Sequence, residues 1–90
     1  MKDIIVVYPE KETAMKLRSL IEKGGYRVSN ICAGGTAALE IAQIKESAVI
    51  VCPFYMKDMS SAELAEALPI DFDVIALSKN GSGQYMGNML

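Results

Sequence analysis

The chain has 90 residues and contains no histidine. Histidine is the commonest general base and the commonest metal ligand at neutral pH, so any such chemistry here falls to carboxylates and thiols. Clustered positive charge is lacking as well, because nine lysines and arginines are scattered among eleven acids and the net charge is −2. Binding to a phosphate backbone needs grouped cations. The sequence therefore argues against a nucleic-acid surface on this segment.

Long apolar runs are also missing. No stretch is long enough to cross a bilayer, and the first residues lack the pattern of a signal peptide. We therefore expect a cytoplasmic chain that does not contact the membrane. Cysteine occurs only at Cys32 and Cys52, each at the end of a predicted strand. In a reducing compartment these two side chains are expected to be buried free thiols instead of a disulfide.

What the sequence does contain is enough apolar material for one small domain over residues 1–90, since 51% of the residues are hydrophobic. The run Ala48–Cys52 is short, apolar and rich in β-branched residues, which predicts a strand buried on both faces. Pro53 is expected to end this strand because it has no amide hydrogen. Ser60 and Glu63 predict a capping box at the start of a helix. The loop 53–59 thus lies where open α/β sheets bind their ligands.

The other elements alternate in the same way. Strands are predicted at 4–7, 26–32, 48–52 and 74–77. Helices are predicted at 10–23, from the turn Gly34-Gly35-Thr36 onwards, and from Ser60 to Pro69, with Gly24-Gly25 ending the first. The order βαβαβαβ predicts a parallel sheet with helical crossovers. Residues 78–84 are expected to form a polar turn, and 85–90 either a helical turn or a stub of strand.

Several matches in order and spacing give the chain a family resemblance. The chain resembles the receiver domain of bacterial two-component response regulators over essentially its whole length. The matching positions are IIVVYPE at 4–10, Gly25-Tyr26-Arg27-Val28, Gly35, Ala38 and Leu39, Met56, Met59, Glu63 and Leu64, and VIALS at 74–78. This resemblance implies a flavodoxin-like, three-layer α/β/α fold with a parallel sheet of strand order 2-1-3-4-5.

The departures from the receiver pattern fall on the residues that do its chemistry. Receivers hold Mg²⁺ with acids after the first strand and phosphorylate an aspartate after the third, where this chain has Tyr8, Pro9 and Pro53. Glu10 alone cannot supply the oxygen ligands of Mg²⁺, and proline has no nucleophile. Ser78 stands where receivers hold the phosphoryl group. We predict a degenerate phosphorylation pocket at these five residues, with no metal, no cofactor and no enzymatic activity, and with Tyr8 either filling the hole or facing a small ligand.

A narrower resemblance concerns one group of such pseudo-receivers. The pairs Tyr8-Pro9 and Cys52-Pro53, the loop Lys57-Asp58-Met59 and the segment Ala67-Leu68-Pro69 are similar to the amino-terminal halves of ANTAR-type proteins, which are RNA-binding transcription antiterminators. In that family the RNA contacts lie in a carboxyl-terminal helical domain that these ninety residues do not include. The resemblance implies the regulatory part of such a regulator, with RNA bound only through that further domain.

Relative to a receiver, the fifth strand and fifth helix are missing, so the fold is expected to be truncated after the fourth strand. An open strand edge and a bare apolar face recruit partners. We therefore expect a homodimer, or contact with the rest of a longer regulator. The alternative is that the tail at 85–90 folds back and the chain stays monomeric.

A rival interpretation starts from Cys32 and the following Ala33-Gly34-Gly35-Thr36. A thiol beside helix amides has a lowered pKa, and those amides can bind an anion. The loop faintly resembles the phosphocysteine loop of IIB-type carriers in sugar phosphotransferase systems. That loop, however, follows the first strand of its fold, whereas this one follows the second. Simple packing of a buried cysteine is the competing explanation.

Overall fold

The computed structural model describes residues 2–78 and the backbone of residues 83–85. The strands are β1 Ile4–Val7, β2 Val28–Cys32, β3 Ala48–Pro53, β4 Phe72–Leu77 and β5 Gly83–Tyr85. The helices are α1 Lys11–Lys23, α2 Gly35–Ala42 and α3 Ser61–Ala67.

The five described strands form one sheet in the order β2-β1-β3-β4-β5, and β1 to β4 are parallel. The chain steps outward from β1 to β2 and then back past β1 to β3 and β4. Because crossovers between parallel strands are right-handed, this reversal places α1 on one face and the later helices on the other. The prediction of a flavodoxin-like α/β fold with a parallel sheet is confirmed.

The predicted end of the sheet at the fourth strand is wrong in one respect. Gly83–Tyr85 forms β5, which pairs antiparallel with Ile75–Leu77. The polar turn was expected to extend to residue 84, but Gly83 and Gln84 lie in β5, so β4 does not present an open edge along these three residues. The remaining positions of that turn and tail, 79–82 and 86–90, lie outside the described residues. Ile75, Ala76 and Leu77 of β4 therefore have a ladder partner that composition alone does not specify.

Element boundaries differ from the predicted ones by one or two residues. β3 includes Pro53, which is paired in register with Leu77. A proline fits at the last position of a strand because only one amide donor is lost from the ladder. β2 begins at Val28, two residues later than predicted, and β4 begins at Phe72, two residues earlier. Phe72 is fully buried, so its packing extends the strand toward the start of the sheet.

One face of the sheet packs against α2 and α3 and carries the larger core. The strand residues on this face alternate with those on the other, as the pleat requires. Leu64 of α3 packs against its fully buried members from the strands, which are Ile5, Val7, Ala48, Ile50, Cys52, Phe72 and Val74.

The opposite face packs against α1 and carries a smaller core. Ile4, Val6 and Val51 of the sheet are buried with Ala14 of α1. Partly buried side chains surround this cluster, among them Val49 of β3. The asymmetry arises because, of the described helices, α1 alone lies on this face.

Local signals set the helix ends as predicted. Ser60 Oγ accepts a hydrogen bond from the Glu63 amide at 3.1 Å, and the Glu63 carboxylate accepts from the Ser60 amide at 2.9 Å. This confirms the capping box. After α1 the chain turns at Gly25, whose φ of 92° lies in the left-handed region that glycine adopts without strain. None of the described helices is long and apolar enough to cross a membrane.

Candidate functional site at the carboxyl edge of the sheet

The carboxyl ends of the four parallel strands lie along one edge of the sheet. Tyr8 follows β1, Pro53 is the last residue of β3, and Ser78 follows β4. Pro53 is paired with Leu77, the residue before Ser78. The structure therefore brings the residues of the degenerate pocket to one edge, at the point between β1 and β3 where the strand order reverses.

Tyr8 is half-buried and packs against the core under α1. Its backbone amide donates to the Cys32 carbonyl at 2.9 Å, which continues the ladder between β1 and β2 by one residue. Burial raises the pKa of the Tyr8 phenol above its ordinary value, and the neighbouring Cys52 and Glu10 raise it further. The phenol is therefore neutral at physiological pH, and its ring fills space beside the end of the sheet.

The remaining two residues of the predicted pocket lie on the surface. Pro9 and Glu10 are exposed, and Glu10 is the N-cap residue of α1. The Glu10 carbonyl accepts from the Ala14 amide at 3.1 Å, so the backbone of Glu10 is used to begin the helix. Within the described part of the chain, no three or more Cys, Asp or Glu side chains come together as a metal site. Glu10 carries the one carboxylate among the five residues of the predicted pocket, which is too few for the octahedral oxygen shell of Mg²⁺.

A small cavity of about 280 Å³ lies beside Tyr8, at the ends of β1 and β2. Its lining is mostly apolar and includes Pro9, Met15, Ile31 and Cys32. The volume is at the lower limit for sites that enclose small molecules. The cavity offers few polar groups that could orient a ligand.

The best-defined polar contact near this edge was not predicted. The carboxylate of Asp58 accepts hydrogen bonds from the Gly35 amide at 3.1 Å and the Thr36 amide at 2.8 Å. These amides belong to the first turn of α2, where unpaired donors and the helix dipole favour an anion. Hydrogen bonds lower the pKa of Asp58 to about 2, and those from Thr36 contribute more than the one from Gly35. The chain thus supplies its own anion to the start of α2.

This contact weighs against the phosphocarrier interpretation of Cys32. The amides that would bind a phosphoryl group, those of Gly35 and Thr36, already donate to Asp58. Cys32 is buried, and burial raises the pKa of its thiol, whereas a nucleophilic cysteine needs a lowered one. Both cysteines are free and buried, as predicted, and burial raises the pKa of Cys52 to about 12.

A close approach of two segments accompanies the Asp58 contact. A Cβ atom added to Gly35 would lie 2.5 Å from the Met59 sulfur and 2.6 Å from its Cγ. Glycine at this position therefore allows the loop after β3 to lie directly on the start of α2. Sequence analysis had singled out both segments of this contact, the turn at 34–36 and the loop Lys57-Asp58-Met59, for other reasons. Nothing in local pattern indicated that they meet, because they are 22 residues apart.

We compared the chain with protein-family models, with curated proteins and with solved structures, and found no match in any of the three. The sheet and its helices therefore assign the chain to a fold class, and these comparisons do not assign it to a family.

Proposed function

We propose that this chain is a non-catalytic, receiver-like signalling module of a cytoplasmic bacterial response regulator, and that it works without phosphorylation. The observation that carries the proposal is the composition of the carboxyl edge, where Tyr8 and Pro53 lie at the ends of the two central strands. A half-buried phenol and a pyrrolidine ring supply neither the carboxylate ligands that Mg²⁺ prefers nor the aspartate that accepts a phosphoryl group in a receiver. The scaffold then acts through the contacts of its surface with other chains.

The resemblance to ANTAR-type regulators supports a more specific form of this proposal. The module would be the regulatory amino-terminal part of a transcription antiterminator, and RNA would be bound by a separate carboxyl-terminal domain. Its net charge of −2 supports this arrangement, because a module with that charge would not itself bind the phosphate backbone of RNA. Its partners would be a second copy of the chain or the rest of a longer regulator.

The test is a titration of the isotope-labelled protein with beryllofluoride and Mg²⁺, which together mimic an aspartyl phosphate. We expect no saturable chemical-shift change at the amide of Phe54, which follows Pro53, or at the amide of Ser78 within the pocket. A saturable change at either amide would contradict the proposal, since it would show that the edge still binds the phosphoryl mimic.

A gain-of-function variant provides the matched control. Pro9→Asp combined with Pro53→Asp adds two carboxylates to the ends of β1 and β3 and leaves Tyr8 unchanged. We expect this variant to show Mg²⁺-dependent shifts that the natural sequence lacks. Far-UV circular dichroism establishes that the variant keeps its secondary structure before the titration.

A further inference from the structure

The loop between β3 and α3 is closed by its own backbone hydrogen bonds. The Met56 amide donates to the Met59 carbonyl at 2.9 Å, and the Ser61 amide donates to the Phe54 carbonyl at 2.8 Å. Together these bonds turn the loop back on itself before α3 begins. The loop is therefore a defined structural unit, and its tip at 56–59 is the part that contacts α2.

Two neighbouring side chains hold this tip against the first turn of α2. Asp58 makes the polar contact, because its carboxylate accepts from the amides of Gly35 and Thr36. Met59 makes the apolar contact. A Cβ atom added to Gly35 would lie 2.5 Å from the Met59 sulfur and 3.1 Å from its methyl group. The sulfur itself therefore faces Gly35, directly beside the amides that bind the carboxylate.

A thioether sulfur is oxidised by hydroperoxides to a sulfoxide. The peroxide transfers one oxygen atom to the sulfur and leaves as water or an alcohol, so the sulfur loses two electrons and the O–O bond is reduced. The product replaces an apolar group by a polar one with an acceptor oxygen. At Met59 this oxygen competes with Asp58 for the amides of Gly35 and Thr36 or stays without a donor, and both outcomes weaken the contact.

The methionines that the structure describes differ in exposure. Met15 on α1 is 42% exposed, whereas Met56 is 9% exposed and belongs to the larger core. Met59 is partly buried and lies between these two cases. Within the described part of the chain, Met59 thus combines access for a small oxidant with a direct contact to α2. Met15 lies on the opposite face of the sheet and provides an internal comparison.

We propose that Met59 is a reversible oxidation site for hydroperoxides, and that its sulfoxide releases the loop after β3 from the start of α2. The inference rests on the proposed function, because a module that works without phosphorylation requires a different signal, and Met59 places that signal beside the degenerate pocket. The same loop carries Tyr55, which is 81% exposed. Release of the loop therefore changes the surface that the module presents to a partner.

The first experiment treats the isotope-labelled full chain with hydrogen peroxide and follows two quantities. Peptide mass spectrometry measures sulfoxide at each methionine, and we expect Met59 to react after Met15 and before Met56. Exchange of the Gly35 and Thr36 amides with solvent reports the contact, because amides in the first turn of a helix have no partner within the helix.

Oxidation of Met59 should accelerate this exchange on the order of tenfold, since protection lasts only while the contact is closed. Amides in the centre of β1 should keep their exchange rates. A Met59 that stays reduced until Met56 is also oxidised would overturn the proposal. Unchanged exchange of Gly35 and Thr36 in the Met59 sulfoxide would overturn it as well.

Two leucine variants assign the effect to one sulfur. Met59→Leu removes the oxidisable atom and keeps an apolar side chain of similar volume, so peroxide should leave the exchange of Gly35 and Thr36 unchanged. Met15→Leu is the matched control and should respond to peroxide like the natural sequence. A response that persists in Met59→Leu, or one that disappears in Met15→Leu, would contradict the assignment.

Reduction of the oxidised natural protein needs no variant, so this test holds even where Met59→Leu does not fold. Methionine sulfoxide reductases specific for the two sulfoxide epimers, with dithiothreitol as the electron donor, should return the sulfur to the thioether. We expect slow exchange of Gly35 and Thr36 to return with it. Exchange that stays fast after reduction would indicate irreversible damage and would overturn the proposal. The beryllofluoride titration uses the reduced protein, so failure of this site and failure of the proposed function are distinguishable.

Discussion

The carboxylate of Asp58 lies 2.8 Å from the backbone amide of Thr36 and accepts its hydrogen bond. This contact joins the loop after β3 to the first turn of α2, two segments that are remote in sequence. It occupies the anion-binding end of the helix and fixes the loop that borders the degenerate pocket. The stability of the edge therefore depends on a residue that performs the role of an N-cap from a distance.

Removal of the Asp58 carboxylate should destabilise the fold. We expect Asp58→Ala to lower the free energy of unfolding by about 1 kcal/mol, as for loss of an N-cap side chain. Urea unfolding followed by circular dichroism measures the change. Asp71→Asn is the control, because Asp71 is exposed in a turn and should change stability by less than about 0.5 kcal/mol. Equal effects of the two substitutions would contradict the assigned role.

The same contact predicts a specific acid dependence. The pKa of Asp58 is about 2 in the folded protein and 3.8 without these contacts. Ionised Asp58 therefore stabilises the fold fully above about pH 4, and this contribution is lost as the pH falls from 3.8 toward 2. We expect the difference in unfolding free energy between the natural sequence and Asp58→Asn to shrink over that interval. A difference that stays constant from pH 5 to pH 2 would be incompatible with the contact.

The two thiols should be poorly reactive in the native state. A pKa of about 12 for Cys52 leaves about 10³-fold less thiolate at pH 8 than an unperturbed cysteine has. We expect slow reaction with an aromatic disulfide reagent in buffer and two rapid equivalents in denaturant. Cys32→Ala and Cys52→Ala assign the signals to each residue. Faster reaction of Cys32 in the folded than in the unfolded chain would restore the phosphocarrier hypothesis.

The close approach of Gly35 and Met59 can be tested with a double-mutant cycle. Gly35→Ala introduces a methyl group 2.5 Å from the Met59 sulfur, and we expect a loss of about 1–3 kcal/mol from overpacking. In the background of Met59→Ala the same substitution should have a smaller effect, because the clashing atoms are gone. Non-additivity of at least about 0.5 kcal/mol, measured by urea unfolding, is the expected result. Additive effects would place the two residues out of contact.

The order of elements could be predicted from the sequence because each signal is local. In Ala48–Cys52 every side chain is buried except that of Val49, which is partly buried. The Ser60–Glu63 capping box forms as its spacing indicates. The sequence also predicted that Tyr8, Pro53 and Ser78 lie at one edge of the sheet, since the carboxyl ends of parallel strands lie on the same side. Local chemistry also predicted two buried, free cysteines.

Other features were decided only by the tertiary structure. No local pattern connects the segments that meet in three of these features. They are the pairing of Gly83–Tyr85 with β4, the hydrogen bonds from Gly35 and Thr36 to Asp58, and the groove between α1 and Ile75. The sequence by itself placed the first four strands and the three helices to within one or two residues, because periodicity and capping act over a few residues. The fold decided which side chains meet and which face of the sheet each described helix covers, because those depend on distances between residues far apart in the chain.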